Sequence, residues 1–255
     1  AFFENPGDVC AIMLECVQGE SGVHPWDPDT LFEVAQFARK NGMLIIVDEV
    51  QSGFYRCGEF PFAFQNMGIT PDIITMAKGI ASGFPMGACA ARIEVAEAFE
   101  PGDHGSTFGG SNLAMAAAHA TLATLTHGHF DEDVQELGEY FSAGLGEIDG
   151  ITEVRGLGLM IGADLEEGID ANLVVAKGLE DGFLLNATGP QTLRFLPPLI
   201  VTRKEIDQLL KALPGMIAAV RDGWKPAEDE EEQDEASAES SEASATEEVA
   251  VEDAE

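Results

Sequence analysis

Long apolar runs are missing from this sequence. No stretch of the 255 residues approaches the roughly 18 apolar positions that a membrane-spanning helix needs, so no transmembrane segment is expected. Bases are scarce as well. Thirteen Lys and Arg face 46 Asp and Glu, for a formal charge of −33, which argues against nucleic acid or an anionic membrane as partner. The excess is not confined to one end. Pro226 to Glu255 hold 14 acids and no base, while residues 1–225 hold 32 acids against 13 bases and keep −19. The four cysteines (Cys10, Cys16, Cys57, Cys89) show no CxxC spacing, so reduced buried thiols in a cytoplasmic protein are expected rather than a zinc site. His24, His104, His119, His127 and His129 do not gather on one face as metal ligands would, and no metal is expected. The opening Ala1-Phe2-Phe3-Glu4-Asn5-Pro6 has no initiator Met, basic stretch or signal-peptide form, and reads as an entry into the middle of a chain.

What is present centres on residues 43–79. Met43-Leu44-Ile45-Ile46-Val47 is an unbroken apolar run that stops at Asp48-Glu49, and Asp72-Ile73-Ile74-Thr75-Met76 is another that stops at Ala77-Lys78-Gly79. Short runs without polar alternation suit strands of a parallel sheet covered on both faces. Ligands of open α/β sheets sit beyond the carboxyl ends of such strands, so an acid and a lysine are expected to meet over one ligand.

The rest of the chain fits that frame. Residues 9–14 form a strand ending at Glu15, and Gln18-Gly19-Glu20-Ser21-Gly22 is a loop. Asp27-Pro28 opens a helix with Leu31, Val34, Ala35 and Ala38 on one face, and Asn41-Gly42 closes it, completing a βαβ unit. Residues 52–71 are a long aromatic connection, 88–91 a small-residue strand and 93–99 a short helix. The loop His104 to Gly110 precedes an alanine-rich helix at about 112–126, and a second long helix runs from Phe130 to Ile148. Strands near 151–154, 158–165, 183–187 and 192–196 then alternate with helices near 170–181 and 203–222, the last with a Thr202/Glu205 capping box. The expected division is a large unit over 1–127, an α+β unit over 128–224 and a disordered acidic tail over 225–255.

Two residues carry most of the chemistry. Asp48 alone could be a turn carboxylate, or the magnesium acid of a nucleotide hydrolase, but the GxxxxGK[ST] loop that a hydrolase requires is absent. Lys78, amid Ala77, Gly79, Ile80 and Ala81, is no ordinary surface lysine, and a desolvated amine attacks carbonyls. Together they suggest pyridoxal phosphate, with lysine for the Schiff base and the acid for the pyridinium nitrogen.

Five blocks carry a resemblance: Glu15 to Gly22, Val47 to Gly53, Pro71 to Gly79, His104 to Gly110, and Leu193-Arg194-Phe195-Leu196-Pro197-Pro198-Leu199. In order and spacing they resemble the class-III pyridoxal-phosphate-dependent aminotransferases over residues 9–222. Leu184-Leu185-Asn186 ahead of Arg194 is most similar to the acetylornithine branch, with the ornithine and 4-aminobutyrate branches close behind. The resemblance implies an α/β protein of PLP-transferase fold type I, here an incomplete large domain with a mostly parallel sheet plus a C-terminal α+β small domain. It implies the cofactor on Lys78, Asp48 at the ring nitrogen, Gln51 at the phenolic oxygen, and Ser106 with Thr107 on the phosphate of a neighbouring subunit's cofactor in a homodimer. It also implies Arg194 on a substrate carboxylate and Glu20 as its alternating partner, with small amino donors and 2-oxoglutarate as substrates. Arg155-Gly156-Leu157-Gly158 fits a glycine turn read as structural.

Departures accompany the match. Cys16 stands in place of a usual proline, Phe108 of a frequent tyrosine, and Ser111-Asn112 of Asn-Pro. The family's N-terminal portion, with its phosphate-cradling loop and ring-stacking aromatic, has no counterpart in these residues. Weak or no cofactor binding is therefore expected of the chain by itself, and a catalytically silent paralogue acting in interaction is the competing reading.

Overall fold

The structure is a computed structural model and describes residues 7–227. Its first sheet grows from β1 (Ala11–Leu14), followed by a ribbon of β2 (Val17–Gln18) and β3 (His24–Pro25), the helix α1 (Pro28–Lys40) and β4 (Leu44–Asp48). The Asp27 carboxylate caps α1 by accepting from the Thr30 N–H at 2.9 Å, and Pro28 sits where a missing N–H costs nothing. Leu31, Ala35 and Ala38 form the buried stripe, and Gly42 turns the chain out at φ +70. The strand is shifted by one from the run 43–47, because Asp48 pairs with Thr75 and so belongs to the ladder.

After α2 (Ala63–Asn66) come β5 (Ile73–Met76), a 3-10 turn at Lys78–Ala81, β6 (Ala88–Ala91) and α3 (Ile93–Ala96). The sheet order is β1-β4-β5-β6, with β1, β4 and β5 parallel and β6 antiparallel at the edge. The alanine-rich α4 (Asn112–His127) packs Ala118 and Leu125 onto Phe54, Ile80 and Ala81, next to the lysine turn.

The chain continues through α5 (Phe130–Gly146), β7 (Ile151–Leu157), β8 (Met160–Leu165), α6 (Ala171–Glu180), β9 (Asn186–Ala187), β10 (Thr192–Phe195) and α7 (Arg203–Arg221). A second, antiparallel sheet of order β7-β8-β10-β9 buries Leu145, Ile161, Leu193, Leu213 and Ile217 against its helices. The Thr202/Glu205 capping box of α7 forms as read from the sequence. Two local expectations fail. Residues 155–157 are not a turn but the end of β7, paired with Gly162, Ile161 and Met160, and the chain reverses at Gly158. Only Asn186–Ala187 of the expected strand 183–187 joins the sheet, because the Phe183 N–H is committed to Gly178 O at the end of α6. The acidic tail, from residue 228 onward, lies outside the described residues.

The β7–β8 tip docks on the 56–58 loop of the first sheet's connection. The Leu159 N–H donates to Arg56 O at 3.0 Å, and Arg56 Nη1 donates to Leu159 O at 3.0 Å and Pro197 O at 2.6 Å. Met160 enters the first sheet's core beside Cys57 and Val17. Gly158 has φ +54, and a Cβ there would stand 2.6 Å from the Gly58 nitrogen. Gly158→Ala is therefore expected to lower stability by about 2 kcal/mol through overpacking and left-handed strain, read as a shifted denaturant midpoint with unchanged slope.

Candidate active site

The parallel register sets the site. Asp48 stands opposite Thr75, and Lys78 follows Thr75 by three residues, so both functional side chains leave adjacent strands at their carboxyl ends. Lys78 is exposed rather than desolvated as its apolar neighbours suggested, because the turn it opens faces a cavity mouth; its backbone lies at φ +45, and no hydrogen bond or ion pair among the described residues holds its amine. Such a backbone is strained for a non-glycine residue and is found mainly where surrounding structure imposes it. Lys78 and Gln51 share the wall of a cavity of about 780 Å³ with Phe54, Arg56, Thr121 and Leu199. Asp48 is outside that lining. It is half-buried at the strand end, and its Oδ1 accepts from the Val50 N–H at 2.8 Å.

Glu20 and Arg194 meet at the other side of Gln51. Arg194 Nη1 donates to Glu20 Oε1 at 2.9 Å, to Gly19 O at 3.2 Å and to Gln51 Oε1 at 3.3 Å, while its Nε donates to Asn186 Oδ1 at 2.8 Å. Gln51 Nε2 completes the triangle by donating to Glu20 Oε1 at 2.8 Å. A Cβ at position 19 would stand 2.5 Å from Gln51 Oε1 and would displace that amide from the triangle. The Arg194 guanidinium holds the Glu20 carboxyl below its ordinary range, and the charge of Lys78 acts in the same sense. Glu15 accepts from the Gly19 N–H at 3.3 Å and steadies the start of this loop.

The remaining predicted residues are not brought in. Ser106 and Thr107 lie on an exposed turn ahead of α4. The cavity's own donors therefore suit one part of pyridoxal phosphate, a free amine for an aldehyde and an amide for a ring oxygen, while the Asp48 carboxylate stands at the adjacent strand end and not in the cavity wall. The Thr75 hydroxyl is buried without a partner among the described residues, at the position paired with Asp48. Donors for a phosphate are not supplied by this copy's Ser106 and Thr107.

Three residues escaped the sequence reading. Glu49 is fully buried, and its carboxylate accepts from Ser52 Oγ at 2.6 Å, the Ala63 N–H at 3.1 Å and the Phe64 N–H at 2.9 Å. Burial pushes its pKa up despite those donors. Arg56 lies in the same connection and has no carboxylate partner among the described residues; burial pushes it down to about 10. The aromatic run Phe54-Tyr55 beside it was the available signal. Arg155 is the third, read from the sequence only as part of a structural turn; Asp164 holds it bidentately. Of the cysteines, Cys16 and Cys57 are buried and Cys10 and Cys89 exposed, all free; burial pushes the Cys16 thiol up to about 12, so it stays protonated and inert.

Comparison with known proteins matches residues 3–217 to the family "Aminotransferase class-III". The acetylornithine aminotransferase of Caldanaerobacter subterraneus subsp. tengcongensis is 44% identical over 218 residues, which are 84% of this chain and 55% of that one. Among solved structures, the ornithine aminotransferase of Toxoplasma gondii ME49 superposes with a TM-score of 0.79 at 33% identity, covering 87% of this chain and 54% of that one. The N-acetylornithine aminotransferase of Stenotrophomonas maltophilia K279a gives 0.77 at 34%, covering 86% and 59%. The chain spans about half the length of the curated relatives it matches.

Proposed function

This chain belongs to the class-III aminotransferases, and from that premise we propose that it is the lysine-bearing part of an enzyme that transfers the amino group of N-acetylornithine to 2-oxoglutarate. The fold is that of the pyridoxal-phosphate-dependent enzymes of fold type I, with a partial first sheet. The observation that carries the reading is the Glu20–Arg194–Gln51 triangle, whose Gln51 shares a cavity wall with Lys78. We infer a step in arginine biosynthesis in the cytoplasm, in line with the acetylornithine aminotransferases it resembles.

Pyridoxal phosphate, when bound, supplies the electron sink that lets an amino acid's carbon give up a proton. Lys78 would hold the cofactor's aldehyde in the resting enzyme and, once the substrate's amine has taken its place, its freed amine would move that proton at the carbon bearing the amino group. Asp48 would keep the pyridine nitrogen protonated, since an adjacent carboxylate favours the cation. Gln51 would orient the ring's phenolic oxygen with its amide. Arg194 clamps the carboxylate of glutamate or 2-oxoglutarate, displacing Glu20, and Glu20 returns when the amino donor occupies the site. Ser106 and Thr107 serve the phosphate of a neighbouring copy in a homodimer, a reading supported by their exposure and by the exposed Phe108 and Leu113 next to them.

A half-reaction panel tests this in the enzyme that carries the chain, with acetylornithine, ornithine, 4-aminobutyrate and succinyl-diaminopimelate followed by cofactor absorbance. Acetylornithine is expected to give the highest kcat/KM; preference for another donor overturns the substrate, and turnover of none overturns the activity. Arg194→Gln is expected to raise KM for 2-oxoglutarate roughly 10- to 100-fold, the worth of one or two charged hydrogen bonds, with a smaller effect on acetylornithine.

A further inference from the structure

Arg155, Gly162 and Arg194 stand in one cross-strand row. Arg155 pairs with Gly162 across β7 and β8, and Gly162 pairs with Arg194 across β8 and β10. Directly paired residues project from the same face, so two guanidinium groups flank the gap that a glycine leaves. The loop carrying Glu20 lies over that gap. A Cβ on Gly162 would meet Gly22 O at 2.7 Å and the Val23 Cβ at 3.0 Å. Arg194 grips the first half of the loop through Gly19 O and Glu20, and Arg155 grips the second half, its Nε donating to Gly22 O at 2.9 Å.

Arg155 is itself firmly held. Its two terminal nitrogens donate to Asp164 at 2.6 and 2.8 Å, and Asp164 also accepts from Thr192 Oγ1 at 2.6 Å. The arginine side chain is only 11% exposed. Between the two grips, Gly22 has φ +119 and Val23 has φ +59, a shape that a free loop does not keep.

We propose that Arg155 is a positioning residue for the Glu20–Arg194 pair: by fixing Gly22 over Gly162, it sets how often Glu20 occupies Arg194. That occupancy sets the balance between dicarboxylate and amino-donor binding, so the inference rests on the function proposed above. A dicarboxylate must find Arg194 unoccupied, and its apparent affinity is scaled by the unoccupied fraction. Releasing one end of the loop adds conformational freedom to Glu20 and lowers the paired fraction.

The test uses the holoenzyme and glutarate, which has two carboxylates and no reactive carbonyl, titrated by calorimetry. Arg155→Gln is expected to bind glutarate about three- to tenfold tighter than the unaltered enzyme. KM for glutamate falls and KM for acetylornithine rises, the effect lying on KM rather than kcat. Arg155→Lys, with the charge but without the fork, restores part of the balance. Gly162→Ala pushes Gly22 from below without touching the Arg155–Asp164 pair and shifts binding in the same direction, which keeps the test decisive if Arg155→Gln does not fold. Once Glu20 is replaced by alanine, Arg155→Gln produces no further shift. Unchanged glutarate affinity, equal weakening of both substrates, or additivity with Glu20→Ala overturns the proposal. An enzyme that binds glutarate with these shifts yet transaminates nothing overturns the function and leaves the loop's role standing.

Discussion

Replacing Lys78 by alanine is expected to cut the half-reaction rate by about 10⁴-fold, the upper end for a group that moves a proton, or roughly 5 kcal/mol of barrier. The residue is placed for that work by several independent features. It leaves β5 beside the strand that ends in Asp48, its backbone is held at φ +45, and its amine is unengaged by any described neighbour. Borohydride reduction followed by peptide mass analysis should find the cofactor on the peptide containing Lys78 and nowhere else. Lys78→Arg is the informative companion. It keeps the positive charge that acts on Glu20 but offers no nucleophile, so the rate should fall as far while glutarate still binds. A Lys78→Ala enzyme that retained most of its rate would remove the central residue of the proposed mechanism.

Glu49→Ala is expected to destabilise the protein by about 3–5 kcal/mol, because Ser52 Oγ and the N–H groups of Ala63 and Phe64 lose their acceptor where water does not reach. For a domain of this size that corresponds to a fall in Tm of about 10 °C. The pH dependence has an unusual sign for a carboxylate. Burial raises its folded-state pKa above the ordinary 4.5. The stabilisation Glu49 gives is therefore complete below its unfolded pKa and is lost as pH rises through the folded one. The Tm gap between the unaltered protein and Glu49→Ala should widen as the pH is lowered from about 8 toward about 5. A gap that narrowed over the same range would mean that the three donors, and not burial, dominate the carboxylate.

The strand ends were legible because burial on both faces leaves an unmistakable apolar run, and a charge at its end is conspicuous. The order of elements followed for the same reason: Asp27-Pro28, Asn41-Gly42 and the Thr202/Glu205 box are local signals read within a few residues. Glu49 was not legible. Its acceptors' partners lie 14 and 15 residues away, on a short helix whose approach depends on Phe54 and Tyr55 adopting positive φ. Arg155 was invisible as a functional residue since its meaning lies in Gly22, 133 residues earlier. The strand expected at 183–187 failed where a helix end claimed the Phe183 N–H, a competition that side-chain pattern does not record. The pairing of Arg194 with Glu20 came from family likeness, as 174 residues separate them.

The docking of the β7–β8 tip on the 56–58 loop bears on timing. Arg56 joins Leu159 and Pro197 by direct hydrogen bonds, and Arg194 lies only three residues before Pro197. The segment carrying Arg194 is thereby tied to Arg56, which lines the same cavity as Lys78. In the function proposed above, the site admits two dissimilar molecules alternately, once in every cycle. The change of guest would then need only the Glu20 carboxylate to swing aside, a side-chain motion of nanoseconds, whereas a swing of whole lobes takes microseconds or longer. Resetting for the next guest is expected to add little to the time per turnover of such an enzyme.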